Sequence, residues 1–396
     1  MLWAGAYAVL VTALAIVFAV AILAGGYRAV ERSDYTTYHT AGRIVLAGDG
    51  ACLYHAGCQA AAQHELIGDE PTFTRGALPF NSPPWLAALV APLALLPLYA
   101  GFGIFTLLSL GILAMAGWGL APRGGGARLV GVVLLLTAWP TVMGAIRGQS
   151  SLAVVGLLGL SVAAAGRGLD RRTGLFAGLA AFKPTLAPLW LARLAFDGRW
   201  TALLVAGATL LALVAAAAVV VSPQAVLEYP AYLLGTGGDP NAVGIHVEQM
   251  VNWRGAALRF GLAATPFAAV GITATIAVLA ASWWWGRSAG RSPLLAAAAA
   301  FLATPLVIPH ANQHEAILAA LGVLILLAAV PELRVRLALA AVASHAVLWI
   351  GPALDPQGSA WLLFGMQLAW LAVVALLSWH ERGEYFRRVP VPVGTD

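Results

Sequence analysis

Apolar runs long enough to cross a bilayer recur along this chain from one end to the other, and nothing else in the sequence constrains the fold as much. The first covers 2–26 and the last about 360–379, with others of about 18 or more residues between them. In hydrocarbon, each backbone N–H and C=O must be satisfied within the segment, so such runs become helices. Apolar residues make up 61% of the 396 and charged residues 10%, against about 45–50% and 25% in soluble domains. The expected fold is an all-α polytopic membrane protein, a single integral membrane domain over 1–396 without an appended soluble domain. The first run lacks a basic start and is too long for the apolar core of a signal peptide, so it is expected to remain as a span.

The net charge of +5 follows from how arginines are distributed between the runs, and it does not call for a nucleic-acid partner. Short arginine-bearing segments carry Arg123/Arg128, Arg167/Arg171/Arg172, Arg193/Arg199, Arg287/Arg291, Arg334/Arg336 and Arg382/Arg387/Arg388. Basic residues concentrate on the cytoplasmic side of membrane proteins. That side then holds all six segments, including the tail at 380–396. The longer segments at 27–98 and 222–258 become two large extracytoplasmic loops.

This orientation constrains the crossings. Ser82 to Ala121 has the length of two spans, yet two spans would put Arg123 and Arg128 outside. Prolines at 83, 84, 92 and 97 make its first half a poor straight helix. The expectation is a segment lying along or dipping into the outer leaflet over 83–97 and one span at about 99–121. Between Arg172 and Arg199, residues 173–194 are too few for two full spans of about 20 residues. A hairpin of two half-length helices turning at Lys183-Pro184 meets the constraint. Further spans are expected at 129–146, 150–166, 200–221, 260–286, 293–309, 315–330, 337–350 and 360–379. Alanine-rich stretches such as 212–218 and 295–300 are expected to be close-packing helix faces.

Cys52 and Cys58 both fall in the first outer loop. They can close a small disulfide ring, remain free thiols, or join His55 in a zinc site.

Several polar residues at membrane or interface depth could carry chemistry. Asp34 lies a few residues past the first span; it either caps a helix or offers a carboxylate to chemistry at the interface. Lys183, the only lysine among the 22 basic residues, sits inside the expected hairpin. A charge there should line a cavity or meet a counter-ion, and an ammonium at a helix break suits a phosphate; the alternative is a snorkelling lysine at the hairpin end. Gly148-Gln149 is either a plain turn or an amide presented to a sugar hydroxyl. The second loop offers His246, Glu248, Asn252 and Arg254, with Glu248 and Asn252 at a helical spacing that shares one face. The segment from Pro309 to Glu315, with His310 and His314, lacks the helical His-Glu-x-x-His pattern of metalloproteases. It is expected to be a polar collar around a cavity, with no metal bound.

The order of short motifs resembles glycosyltransferase family 87, membrane enzymes of the GT-C superfamily that include polyprenol-phosphate-mannose-dependent α-mannosyltransferases. The matching pieces are Asp34-Tyr35, Ala41-Gly42-Arg43, Gly48 to Leu53-Tyr54, and Phe80-Asn81-Ser82-Pro83-Pro84 with Pro92-Leu93 and Leu96-Pro97. Gly148-Gln149-Ser150, Gly174 to Gly178, Lys183-Pro184 and Arg199-Trp200 follow. The similarity is clear over about 1–258, and the 310–315 segment matches no family pattern.

The resemblance implies a GT-C fold with about 10–12 transmembrane or half-membrane helices and two large extracytoplasmic loops. It implies Asp34 as the catalytic aspartate, a polyprenyl-phosphate-linked sugar as donor, and a glycolipid or glycan acceptor. Lys183, His246 and Arg254 are then the candidates for the donor phosphate. Tyr35, Tyr38, Gln149, Glu248, Asn252, His310 and His314 are the candidates for the sugar or acceptor. No metal or other cofactor is required when cations hold the leaving phosphate. The expected location is a bacterial plasma membrane, in contact with membrane lipid, with the active site on the extracytoplasmic side. A transporter or flippase for a lipid-linked or polar solute is the competing class, since broken helices and an intramembrane lysine occur there too.

Overall fold

The structure is a computed structural model and describes residues 2–25, 29–68, 77–121, 124–238, 249–288, 293–354 and 358–388. The described residues are helical, with a single isolated bridge joining Met250 to Asn312. Six helices are long and apolar enough to cross a membrane. They are α1 (Leu2–Gly25), α5 (Leu98–Leu120), α11 (Trp200–Val220), α14 (Ala264–Ser288), α17 (Arg334–Leu354) and α18 (Gly358–Arg388). Their outer faces carry exposed Val9, Leu107, Leu204, Val219, Val270 and Leu339, as expected of faces turned to lipid tails. The chain is a multi-pass membrane protein.

The sequence expects a span over 129–146, and the structure adds a sharp bend within it. α6 (Gly125–Leu136) and α7 (Trp139–Ile146) meet at an angle of 55°. Pro140 has no N–H to continue the helix, and the freed carbonyls find other donors. The Thr141 hydroxyl donates to Leu135 O at 2.7 Å and the Trp349 indole to Thr137 O at 2.9 Å. The bend is thus satisfied inside the bundle, as hydrocarbon requires.

Among the described residues, the helices at three of the expected spans are shorter than a full crossing. α8 (Ser151–Ala165) and α15 (Pro293–Val307) have 15 residues each and α16 (Ile317–Ala329) has 13. They are enclosed by neighbours, and within the alanine-rich stretch of α15 both Ala298 and Ala299 are fully buried. Small residues permit this. A Cβ on Gly156 would stand 2.8 Å from the backbone nitrogen of Leu113 in α5, so α8 and α5 touch through backbone.

The residues around the expected hairpin follow the sequence reading closely. α9 (Asp170–Leu179) leads into a 3-10 turn over Ala180–Phe182; Lys183 breaks the helix, a second 3-10 turn covers Pro184–Leu186, and α10 (Pro188–Phe196) returns. Gly174 and Gly178 seat α9 on α11: a Cβ at Gly174 would lie 2.2 Å from Ala202 O. The 83–97 segment is likewise a short helix, α4 (Pro84–Val90), and a 3-10 turn over Ala91–Leu95 before α5.

The rest of the first loop is built from α2 (Asp34–Leu46) and α3 (Ala56–Ile67), and α12 (Pro223–Gly238) covers it. Cys52 and Cys58 are joined in a disulfide, which leaves no thiolate for zinc. An aromatic cluster of Tyr54, Phe80, Trp85, Tyr229 and Tyr232 packs α12 onto this loop, with the Tyr54 and Tyr232 rings 4.8 Å apart.

Candidate functional site

A polar cavity of about 350 Å³ lies between the first loop and the turns at 147–149, 183–185 and 310–315. Its walls bring together Asp34, Tyr38, Gln149, Lys183, His310 and His314 from the sequence candidates.

One wall starts at the N-terminus of α2. Ser33 and Thr36 both donate to Val30 O, at 2.5 and 2.8 Å, which closes the turn before the helix. Asp34 then falls in the first turn of α2, where the helix dipole favours a negative charge. Tyr35 N donates to Arg147 O at 3.3 Å, so α2 is tied to the turn after α7. That turn needs Gly148: its φ is +59° and a Cβ would lie 2.6 Å from Tyr35 Cβ. Directly after it, the Gln149 amide donates to Asp34 Oδ2. The Tyr38 hydroxyl lies 3.3 Å from Ser150 Oγ and 3.5 Å from Gln149 Oε1. Burial, with the nearby charge of Asp34, pushes the Tyr38 phenol upward, so it stays a hydrogen-bonding hydroxyl.

A second part of the lining is an ion-pair network. Lys183 pairs with Glu315 and donates to Ser151 Oγ at 2.9 Å. Ser151 Oγ donates to Glu315 Oε1 at 3.1 Å, and His314 Nε2 lies 2.8 Å from the same oxygen. Glu315 Oε2 accepts Asn312 N at 2.7 Å. This segment, Gln313–Ala316, is a 3-10 turn leading into α16, and Trp139 of α7 anchors it through Gln313 Oε1 at 3.1 Å. Asn312 Nδ2 donates to His310 Nε2 at 3.2 Å. Burial pushes the His310 imidazole down to about 4, so at neutral pH it lines the cavity uncharged.

Among the described residues, three candidates do not line the cavity. Tyr35 is 0% exposed and its ring is surrounded by His39, Phe102 and Phe105. Asn252 is buried as the N-cap of α13 (Trp253–Arg259): its Oδ1 accepts Gly255 N at 2.9 Å and its Nδ2 donates to Ile308 O at 2.8 Å. Both hold the frame of the site, a consequence of tertiary packing that their spacing does not reveal. Arg254 also lies outside the lining, although its charge reaches His310. His246 and Glu248 lie outside the described residues.

The cavity also contains Arg32, Arg147 and Tyr229, which the sequence reading does not single out, and Glu315 from the expected polar collar. Arg147 carries a readable signal, because it stands in a short turn expected outside, against the inward bias of the arginines in the other short turns. Tyr229 carries none, since it looks like any aromatic residue in a loop helix.

The model of glycosyltransferase family 87 matches residues 80–309. Neither the curated proteins nor the solved structures contain a match to the chain. The matched stretch includes Arg147, Gln149 and Lys183, and the fold adds Asp34 from before it and Glu315 from after it to the same cavity. With more than half of its length in that match, the chain belongs to glycosyltransferase family 87.

Proposed function

We propose that this membrane glycosyltransferase moves a hexose, mannose in the first instance, from a polyprenyl-phosphate donor to a hydroxyl of a glycolipid or glycan acceptor. The observation that carries the reading is one cavity lined by both a carboxylate, Asp34, and an ammonium, Lys183. The acceptor oxygen attacks the anomeric carbon while Asp34 takes its proton. The bond from that carbon to the phosphate oxygen breaks, and its electron pair stays on the lipid phosphate beside Lys183. Direct displacement inverts the anomeric centre.

Polar walls fit a sugar held by hydroxyl contacts: Asn81, Ser82, Thr185 and Gln249 join the charged residues around the cavity. The arginine distribution supports an extracytoplasmic site in a bacterial plasma membrane. The proposed chemistry uses no metal or other cofactor. Family membership favours transfer over the transport reading, which shares the broken helices but predicts no glycosylated product. Incubating the purified protein with a panel of polyprenyl-phosphate sugars and candidate acceptors, followed by mass spectrometry, tests the proposal. A hexose-shifted product that requires the lipid donor supports it; absence of product across the panel contradicts it.

A further inference from the structure

Glu315 is a second carboxylate at the cavity, and its surroundings differ from those of Asp34. Its side chain is 1% exposed. One oxygen is shared by Lys183, Ser151 and His314, and the other accepts a backbone N–H from Asn312. An ionised carboxylate offers about two acceptor sites per oxygen; here three donors crowd Oε1 and one meets Oε2. Both oxygens are engaged and the side chain is almost wholly enclosed, which makes Glu315 a poor base for an incoming hydroxyl. Lys183 is complementary. Its side chain is 25% exposed, and of the three N–H bonds of an ammonium, Glu315 and Ser151 take two.

We propose that Glu315 is a positioning residue: together with Ser151 it fixes the ammonium of Lys183 so that the remaining N–H meets the phosphate of the lipid donor. This rests on the reading of Lys183 as the phosphate contact and adds what holds it there. A lysine on a flexible four-carbon stem does not hold one position unaided. Two oxygens on two different elements, α8 and the turn before α16, define where its charge sits. Glu315 is reached from the C-terminal part of the chain, so the site is closed by a segment beyond the family match at 80–309.

The test uses the full-length protein in detergent and two readouts: binding of farnesyl phosphate, a soluble lipid monophosphate, and donor kcat and KM. Glu315→Gln keeps the ammonium but loosens it. Farnesyl phosphate affinity and donor KM should stay within about threefold of wild type while kcat falls at least about tenfold, as expected for misplacement of a transition-state contact. Glu315→Asp should recover part of kcat. Lys183→Met should weaken farnesyl phosphate binding about tenfold or more. The double variant Lys183→Met/Glu315→Gln should be no worse than Lys183→Met alone, because Glu315 acts through Lys183. Ser151→Ala, which leaves the charges paired, should show a smaller loss of the same kcat-selective kind, and it serves if Glu315→Gln does not fold. Wild-type kcat per folded molecule in Glu315→Gln or, where that variant is unfolded, in Ser151→Ala overturns the inference. So does an additional loss in the double variant. Wild-type protein that binds no farnesyl phosphate and turns over no polyprenyl-phosphate sugar overturns the donor reading and this inference with it.

Discussion

The side-chain amide of Gln149 donates a hydrogen bond to Oδ2 of Asp34 across 115 residues of sequence. This contact joins the first loop to the turn after α7 and holds one carboxylate oxygen, leaving the other for chemistry. The Gln149 amide therefore acts first on Asp34, and only through it on a substrate. Gln149→Leu should fold, keep its lipid-phosphate affinity and lose roughly 10–10²-fold in kcat, because misplacement by about 1 Å is that costly. Steady-state kinetics on the purified variant check this, and an unchanged kcat would release Gln149 from the role.

His310 sets a pH expectation. An ordinary histidine titrates near 6.5, while burial holds His310 at about 4 in the folded protein. The unfolded chain therefore takes up a proton first as pH falls, and stability declines from about pH 6.5 toward pH 4. His310→Gln removes this titration. Its melting temperature relative to wild type should rise as pH is lowered from 7 to 5, and a constant difference over that range would contradict the burial argument.

Gly174 fixes α9 against α11, and through α9 the position of Lys183. A Cβ there meets Ala202 O at 2.2 Å, so Gly174→Val must push the two helices apart. Overpacking of this kind costs about 1–3 kcal/mol. The variant should unfold earlier in a thermal scan and also lose kcat, whereas Gly207→Val, with open space around it, should do neither.

Much of this arrangement is legible in the sequence. Four prolines turn 83–97 away from a full span, and the arginine bias requires a hairpin at 173–194; both are physical constraints local enough to read. The bend at Thr137–Ala138 is not legible as a break, because Pro140 is tolerated inside many spans and the donors that repair it, Thr141 and Trp349, are set by packing. Asp34 and Lys183 stand out by depth and charge. Their common cavity depends on long-range contacts, as does the role of Glu315, whose partners lie 132 and 164 residues away. Tyr35 sits beside Asp34 in sequence but on the opposite side of α2 in effect, its ring among Phe102 and Phe105.

The proposed orientation has a direct chemical check. Cysteines introduced at Gln224 and Leu169, both exposed, should differ in intact cells. The first should react with an impermeant thiol reagent and the second only after lysis. The reverse pattern would move Asp34 to the cytoplasmic side.

Asp34 carries the central claim. Asparagine preserves its shape and can still hydrogen-bond, but it cannot accept the acceptor's proton. The decisive measurement is kcat for sugar transfer from a polyprenyl-phosphate sugar by Asp34→Asn, alongside its farnesyl phosphate affinity. The expected result is a folded protein with wild-type lipid-phosphate affinity and at least about 10²-fold lower turnover; transfer at close to the wild-type rate would remove Asp34 from the role of base.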